Sequence, residues 1–210
     1  MTAMSSPARR AAVLAATTAA ALALAACGSG GGSPSGHGAH SSPAASAPAQ
    51  SSAGHNAADV TFAQGMIPHH RQALEMSGLA ATRASSAEVK TLAREISTAQ
   101  DPEIRTLSGW LTSWGEQVPA PDADPHAGHG AGHGMSGMMS DDDMERLRTS
   151  SGAAFDRAFL SLMVEHHEGA VEMAETQKSE GSHAPAKAMA EEIVTAQNAE
   201  ISRMRNLLEN

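Results

Sequence analysis

Two histidine pairs carry the clearest chemical signal in this sequence, because both stand in the same pattern. In each copy a methionine precedes two adjacent histidines by three and four residues: Met66 with His69 and His70, and Met163 with His166 and His167. On a helix, residues at this spacing lie about 5 to 6 Å apart on one face, so a thioether and an imidazole can reach the same ion. Neutral imidazole is the commonest side-chain metal ligand. The pattern therefore predicts a metal site in each copy.

A second methionine follows each histidine pair, at Met76 and Met173. Each lies about 10 Å along the helix from the first histidine of its pair, which is too far for the same ion. These two side chains form either a neighbouring site or part of the core. Packing is also the competing interpretation of the other six positions, because a buried histidine is often only a hydrogen-bonded core residue and methionine commonly fills helix cores.

Four polar residues occupy otherwise apolar helix faces, where an unpaired carboxylate would be costly. They are Gln100 and Glu103 in the first copy and Gln197 and Glu200 in the second. We expect them to orient the histidines through hydrogen bonds or to bind a cation directly. The competing interpretation is that the interior is hydrated at this level, or that these side chains cap a kink in the facing helix.

The donor types favour copper among the common metals. Thioether with imidazole suits Cu⁺, imidazole with carboxylate suits Cu²⁺, and copper has the highest affinity in the divalent series. A glycine-rich stretch adds six donors that predict a secondary loop chelator for copper, zinc or nickel: His126, His129, His133, Met135, Met138 and Met139. The alternative for this stretch is a low-complexity loop that binds metal only adventitiously.

The elements that must position these residues are helices, and they occur twice. Residues 59–111 and 156–208 align without a gap at an offset of 97 positions, with 20 identities in 53 positions. In each copy the apolar residues repeat with helical periodicity in two successive segments. Two duplicated helical hairpins predict an all-α fold, a four-helix bundle.

Two prolines interrupt the first copy, where the second has Glu165 and Ala199. Pro68 precedes the first histidine pair, and Pro102 precedes Glu103. An interior proline removes one helical hydrogen bond and costs about 3 kcal/mol. We expect a kink at Pro68, although a helix that starts at either proline would also fit the pattern.

The N-terminus predicts export. Two arginines precede an uncharged run that ends in Leu-Ala-Ala-Cys-Gly at Cys27, which resembles a bacterial lipoprotein signal. We expect a signal peptide at 1–26, a lipid on Cys27 that anchors the protein in a membrane, and a disordered tether over 27–58. The bundle would occupy 59–210, with its crossover loop at 119–140. An ordinary secretory signal with a chance cysteine is the alternative.

Composition and missing motifs argue against several other classes. A net charge of −9 argues against nucleic-acid binding, and a single cysteine rules out a disulfide scaffold. Three Phe and no Tyr argue against a β-sandwich or barrel. A ferritin-type di-iron site needs two Glu-x-x-His motifs, but the one present, Glu180 to His183, adjoins a glycine and does not recur. An enzyme is therefore less favoured than a binding protein.

The repeated residues resemble those of the CopM-like family. The resemblance rests on Met-Ile-Pro-His-His and Met-Val-Glu-His-His, on the Glu-Met that follows each, and on Thr-Ala-Gln and Glu-Ile in both second helices. It covers about 59–114 and 141–210, and it implies an exported, ferritin-like four-helix domain with a part in copper resistance or homeostasis. The resemblance implies metal ligation at eight positions: Met66, His69, His70, Met76, Met163, His166, His167 and Met173.

Taken together, these patterns predict a lipid-anchored, non-enzymatic protein that buffers or delivers copper, as Cu⁺ or Cu²⁺, outside the cytoplasm. It would act at the outer face of the cytoplasmic membrane or in the periplasm, with a copper-transfer partner. Two alternatives remain open at this point. One is a metal-dependent oxidoreductase with a buried His/Glu site, and the other is a structural or partner-binding bundle without a specific metal.

Overall fold

The computed structural model describes residues 54–121 and 136–209, and over these ranges the chain is all-α, with no strand. Five helices follow one another: α1 (Ala57–Arg83), α2 (Ala87–Trp114), α3 (Asp141–Thr149), α4 (Gly152–Glu180) and α5 (Ala184–Glu209). Helix α3 is an addition to the four helices expected from the sequence. Cys27 with the signal and most of the tether lies outside the described residues, as do His126, His129, His133 and Met135.

Local sequence sets where the helices begin and end. Asn56 caps α1 through a capping box, in which its side chain accepts from the Asp59 amide while the Asp59 carboxylate accepts from the Asn56 amide. Ser86 caps α2 in the simpler way, by accepting from the Val89 amide. Helix α2 ends at Gly115, whose φ of 76° suits a residue without a Cβ.

Both prolines of the first copy lie inside continuous helices. Pro68 stands in the middle of α1 and Pro102 in the middle of α2. The interpretation that a helix starts at either proline is therefore wrong. Packing along a long apolar face outweighs the single hydrogen bond that each proline removes.

The long helices pack as two hairpins, α1 with α2 and α4 with α5, and the hairpins meet where α1 packs against α4. Two hydrophobic clusters fill the interior. One joins the second half of α1 to the first half of α4, through Met76 and Met163. The other joins the first half of α1 to the second half of α4, through Met66 and Ala170. Because each half of α1 packs against the opposite half of α4, the two helices run antiparallel. The histidine pairs lie near the middle of both helices, between the two clusters.

Each hairpin contributes one buried aspartate that accepts hydrogen bonds from the turn of the other hairpin. Asp59 of α1 accepts from the backbone amides of Ser182 and His183 in the α4–α5 turn, at 3.1 Å each. Asp156, which is 97 positions later, accepts from the amides of Ser85 and Ser86 in the α1–α2 turn, at 3.0 and 2.9 Å. We call these two sets of contacts the reciprocal clamps.

The Asp59 clamp is also the more strongly hydrogen-bonded of the two. Burial raises the pKa of the Asp59 carboxyl, but hydrogen bonds from Gln177, Asn56, His183 and Ser182 outweigh it and lower that pKa to about 2. The carboxylate is therefore ionised at any physiological pH, and it holds the two hairpins together at one end.

A short segment at the end of the predicted crossover loop lies directly on the bundle. The side-chain amide of Gln72 pairs with the backbone of Met139 in both directions, at 2.8 and 3.0 Å. Gly137, with a φ of 77°, lies so close to Gly169 of α4 that a Cβ on Gly169 would come 2.1 Å from the Ser136 carbonyl oxygen. We call residues 136–139 the strap.

Within the described ranges, none of the helices combines the length and apolarity required to cross a membrane.

Candidate metal centre

The four paired histidines meet in the interior, where α1 packs against α4. His69 and His70 on α1 are fully buried, and so are His166 and His167 on α4, at 1% exposure or less. The rings of His69 and His166 have centroids 3.7 Å apart, with their planes at 41°. The other two rings, the outer ones, lie further away: the centroid of His70 is 6.5 Å from that of His69, and the centroid of His167 is 6.4 Å from that of His166. The structure therefore brings the two copies of the motif into one cluster.

A glutamate from the neighbouring helix holds each outer histidine. The distance from His70 Nε2 to a carboxylate oxygen of Glu103 is 2.7 Å, and the distance from His167 Nε2 to Glu200 is also 2.7 Å. An ionised carboxylate only accepts, so Nε2 carries the hydrogen in a neutral ring and Nδ1 keeps its lone pair. This is the arrangement by which a carboxylate orients a metal-binding imidazole.

Six imidazole nitrogens in this cluster are buried without a hydrogen-bond partner among the described residues. They are both ring nitrogens of His69, both of His166, and Nδ1 of His70 and of His167. A buried polar group left unpaired costs about 1 to 3 kcal/mol, so six in one place need an explanation. In neutral rings four of these nitrogens carry a lone pair, and a metal ion, which accepts lone pairs, would explain those four.

The two central rings stay neutral. Burial lowers the pKa of His69 well below 6.5, and the nearby His70 and His167 lower it further. Burial likewise lowers the pKa of His166, with His69 as the next contribution. Neutral rings are the form that binds a metal ion, so these two ligands remain available in mildly acidic surroundings.

The repeated methionines border the histidines on both sides. Met66 and Met163, the nearest along their helices, are fully buried, and so is Met76. Met76 shares its cluster with Met163, whereas Met173 is half-buried and packs against the cluster that contains Met66. Each cluster therefore contains one methionine from α1 and one from α4.

The glutamines expected beside the histidines are also buried and incompletely paired. Gln100 and Gln197 are each 3% exposed. The Oε1 atom of both, and Nε2 of Gln197, have no hydrogen-bond partner within the part of the chain that the structure describes. The interior thus contains amide oxygens as well as imidazole nitrogens that lack partners, while Glu103 and Glu200 remain about a quarter exposed.

Of the six donors of the predicted loop chelator, the structure describes Met138 and Met139. Met139 is 4% exposed and packs in the same cluster as Met76 and Met163, so it is a core residue in this structure. Met138 is half-buried in the strap. The remaining four donors of the predicted loop chelator lie outside the described residues.

Sequence reasoning missed the strap and the clamps. The backbone of Ser136 lies close enough to His69 to act on its pKa, in the direction opposite to burial, so the strap covers one side of the histidine cluster. Asp59 and Asp156 are identical in the 97-residue repeat, and that identity was the available signal. The repeat gave no such signal for Gly169, because its equivalent in the first copy is Gln72. Gln72 contacts the strap by a side-chain hydrogen bond, whereas Gly169 contacts it by close backbone approach.

The donor set is imidazole-rich and lacks a polydentate carboxylate cage. Across residues 54–121 and 136–209, no group of three or more His, Cys, Asp or Glu side chains is arranged to hold one metal ion, and this includes the four histidines. An ion at the centre would therefore be held by at most two imidazoles, with thioethers beside them. The donors available at the centre are imidazole lone pairs with thioethers beside them. These donors match soft or borderline ions such as copper and silver better than hard ions such as Mg²⁺.

The fold and the centre together define an all-helical bundle with a buried, paired-imidazole interior. The sequence profile with the description "Domain of unknown function (DUF305)" matches residues 59–208, and the chain therefore belongs to the DUF305 family. No curated protein matches the chain.

Three solved structures illustrate the similarity. A DUF305 protein of Streptomyces coelicolor, described as secreted, is 36% identical, with a TM-score of 0.65, covering 72% of this chain and 92% of that one. A DUF305 fragment of Deinococcus radiodurans is 30% identical, with a TM-score of 0.64, covering 74% and 98%. CopM in its Cu(II)-bound form is 33% identical, with a TM-score of 0.62, covering 72% and 96%. The resemblance to the CopM-like family is thereby confirmed.

Proposed function

We propose that this protein binds copper at the buried histidine cluster and serves to buffer or deliver the ion outside the cytoplasm. The observation that carries the proposal is the set of six partnerless imidazole nitrogens, because in neutral rings four of them carry a lone pair, one per ring, and a bound ion would satisfy these lone pairs. The four histidines supply the nitrogen donors. Met66 and Met163 are the nearest thioethers along the same helices.

Related structures support the choice of ion. CopM, at 30 to 33% identity, has been solved in Cu(II)-bound, Cu(I)-bound and silver-bound forms. Imidazole with thioether suits Cu⁺, and imidazole with a nearby carboxylate suits Cu²⁺. Glu103 and Glu200, beside the outer histidines, give this chain a means of accommodating either oxidation state.

The chain's own residues prepare the centre in three ways. Glu103 and Glu200 hold Nε2–H of the outer histidines and so direct Nδ1 inward as a ligand atom. Burial keeps His69 and His166 neutral, so protons compete poorly for these two rings. The strap and the two hydrophobic clusters shield the centre from bulk water, which would otherwise compete as a ligand.

The symmetry of the centre favours an origin by duplication. Each half contributes a His–Glu contact of the same length between residues 33 positions apart. In this proposal the bundle is a ferritin-like fold built from two copies of one hairpin, and its halves face each other at His69 and His166. The ion or ions would lie at or near that local two-fold axis, bordered by Met76 and Met173 further out.

Export completes the proposed function. The lipoprotein-type signal ending at Cys27 and the secreted description of the Streptomyces coelicolor relative both favour a position outside the cytoplasm. A lipid on Cys27 would keep the protein at the membrane, near a copper-transfer partner. The predicted loop chelator, with His126, His129 and His133, would serve as a secondary site of lower affinity.

Equilibrium competition for copper tests the proposal. The mature chain is titrated with Cu⁺ under anaerobic conditions, and with Cu²⁺ in air, against a coloured chelator. We expect a dissociation constant below about 1 μM, which corresponds to a binding free energy of about −8 kcal/mol or lower. The affinity should fall at least tenfold when His69, His70, His166 and His167 are all changed to Gln. A control variant, His37→Gln, changes a histidine of the predicted tether and should bind normally.

Two further measurements guard against a variant that fails to fold. Circular dichroism of the quadruple variant checks its helices. X-ray absorption at the copper edge of the wild-type complex, which requires no variant, should show nitrogen and sulfur scatterers. An oxygen-only shell, or a thermal midpoint that is identical with copper and with a chelator, would contradict the proposal and favour histidines with a purely structural role.

A further inference from the structure

A second cluster of rings lies at the bundle end that the Asp59 clamp holds. Trp110 and Trp114 come from the end of α2, with centroids 6.2 Å apart and planes at 18°. The ring of His183, from the α4–α5 turn, stands nearly perpendicular to both, at 5.3 and 5.1 Å. His55, just before α1, stacks on Trp114 at 4.5 Å, with planes at 8°. Three segments far apart in sequence thus build one cluster of four rings.

The protonation of the His183 ring is fixed by its partner. Its Nδ1 lies 2.8 Å from the backbone carbonyl oxygen of Gly54. A carbonyl only accepts, so Nδ1 carries the hydrogen and Nε2 of the neutral ring has a free lone pair. That Nε2 atom is buried and has no hydrogen-bond partner in the described ranges. A backbone carbonyl on one ring nitrogen with a bare lone pair on the other is the usual state of a metal-binding histidine.

The rings around this lone pair are aromatic, and among the described residues no hydrogen bond joins it to a carboxylate. Indole faces attract cations through their electron density, and tryptophan does so more strongly than the other aromatic residues. A soft univalent cation combines a preference for imidazole nitrogen with little need for oxygen ligands. We propose that His183, Trp110 and Trp114, with His55 stacked beside them, form a second site for a soft univalent cation of the Cu⁺ and Ag⁺ class.

The backbone holds this site in place without the cation. The amide of His183 donates to Asp59 at 3.1 Å, and the amide of Asn56, next to His55, donates to the same carboxylate at 2.7 Å. One buried carboxylate therefore fixes both segments that carry the imidazoles. The position equivalent to His183 in the first copy is Ser86, so the second site exists at one end of the bundle only.

The choice of ion class agrees with the proposed function, but the site stands apart from the histidine cluster and uses none of its residues. Its readout is separate as well. The chain has two tryptophans, and both belong to this ring cluster, so tryptophan fluorescence reports on the second site. Loss of copper binding at the histidine cluster would leave this signal unchanged, and the two proposals can therefore fail independently.

The test is a titration of the full chain with Ag⁺, which stays univalent in air, followed by tryptophan emission. We expect a saturable change in emission that persists when His69, His70, His166 and His167 are all Gln. The His183→Gln variant should need at least about tenfold more Ag⁺ for the same change, because an amide can keep the hydrogen bond to Gly54 but offers no imidazole lone pair. His37→Gln is the matched control and should titrate like the wild type.

Three outcomes would overturn the second site. They are the absence of any emission change with Ag⁺, an equal response in His183→Gln, and a response that disappears in the quadruple variant. Should His183→Gln lose its helical circular dichroism, nitrogen NMR of the wild-type protein decides the question. Ag⁺ must then shift the Nε2 resonance of His183, and an unmoved resonance rules out ligation there.

Discussion

The imidazole rings of His69 and His166 lie with their centroids 3.7 Å apart in the interior, one from each half of the bundle. No nitrogen of either ring makes a hydrogen bond of standard geometry with the described residues, although the backbone of Ser136 lies beside His69. Two like groups, both polar and both buried, are held together here by the packing of α1 on α4. This contact is the centre of the candidate metal site, and it has consequences for stability that can be measured.

Acid should destabilise the metal-free protein. Burial lowers the pKa of His69 and His166 well below 6.5, so below pH 6.5 the unfolded chain takes up protons that the folded chain does not. The free energy of unfolding should therefore fall as the pH falls below 6.5, by up to about 1.4 kcal/mol per pH unit for each ring. Denaturant unfolding at pH 7.5, 6.0 and 5.0, in the presence of a chelator, measures this slope.

A double variant isolates the two rings. In His69→Gln with His166→Gln the slope should be clearly flatter, because neither position can then titrate. His37→Gln serves as the control and should keep the full slope. Equal slopes in the double variant and the wild type would mean that other groups dominate the acid response.

Removing the carboxylates beside the outer histidines should weaken copper binding without unfolding the bundle. Glu103→Gln and Glu200→Gln each take a charged acceptor from an imidazole Nε2–H, and such changes typically lower metal affinity 10- to 100-fold. Chelator competition measures the affinity. Glu95→Gln is the control, since Glu95 pairs with Arg203 at the surface. If all three variants bind copper equally, the glutamates do not orient the ligands.

A methyl group at Gly169 should displace the strap. Its Cβ would lie 2.1 Å from the Ser136 carbonyl oxygen and 2.6 Å from the Gly137 Cα, both of them backbone atoms. We expect Gly169→Ala to lose about 1 to 3 kcal/mol of stability and to speed hydrogen exchange of the Met139 amide, which donates to Gln72.

The matched control for the strap is Gly78→Ala, also in a long helix. A Cβ at Gly78 meets nothing within 4 Å, so alanine there should leave the strap in place and raise stability by up to about 1 kcal/mol. Slow exchange of the Met139 amide in Gly169→Ala would show that the strap tolerates the methyl group.

Breaking the Asp59 clamp should be costly. Asp59→Ala leaves the amides of Asn56, Ser182 and His183 without their acceptor, and we expect a loss of about 3 kcal/mol or more. Because the folded-state pKa of Asp59 is about 2 instead of 3.8, its contribution is complete above pH 4 and disappears as the pH falls towards 2. Thermal unfolding at pH 7 and pH 2.5 measures both effects.

Comparison with the wild type at the two pH values completes this test. The difference between Asp59→Ala and the wild type should shrink at pH 2.5. Glu88→Ala, which removes a fully exposed carboxylate that accepts from the Ser86 hydroxyl and from its own backbone, is the surface control and should change little. A constant difference at both pH values would mean that the charge of Asp59 is not what holds the clamp.

The amino-acid sequence was sufficient to predict the four long helices, although not α3, and to single out the four histidines that the structure brings together. Helical periodicity and the repeat are local properties, and the spacing of Met66, His69 and His70 follows from the helix alone. The tertiary structure decided which groups meet. It joined His70 to Glu103 across 33 residues, brought the ring of His69 against that of His166, and placed Met139 in the core. These contacts depend on how one helix is aligned against another, and each alignment is fixed by packing along the whole length of both helices.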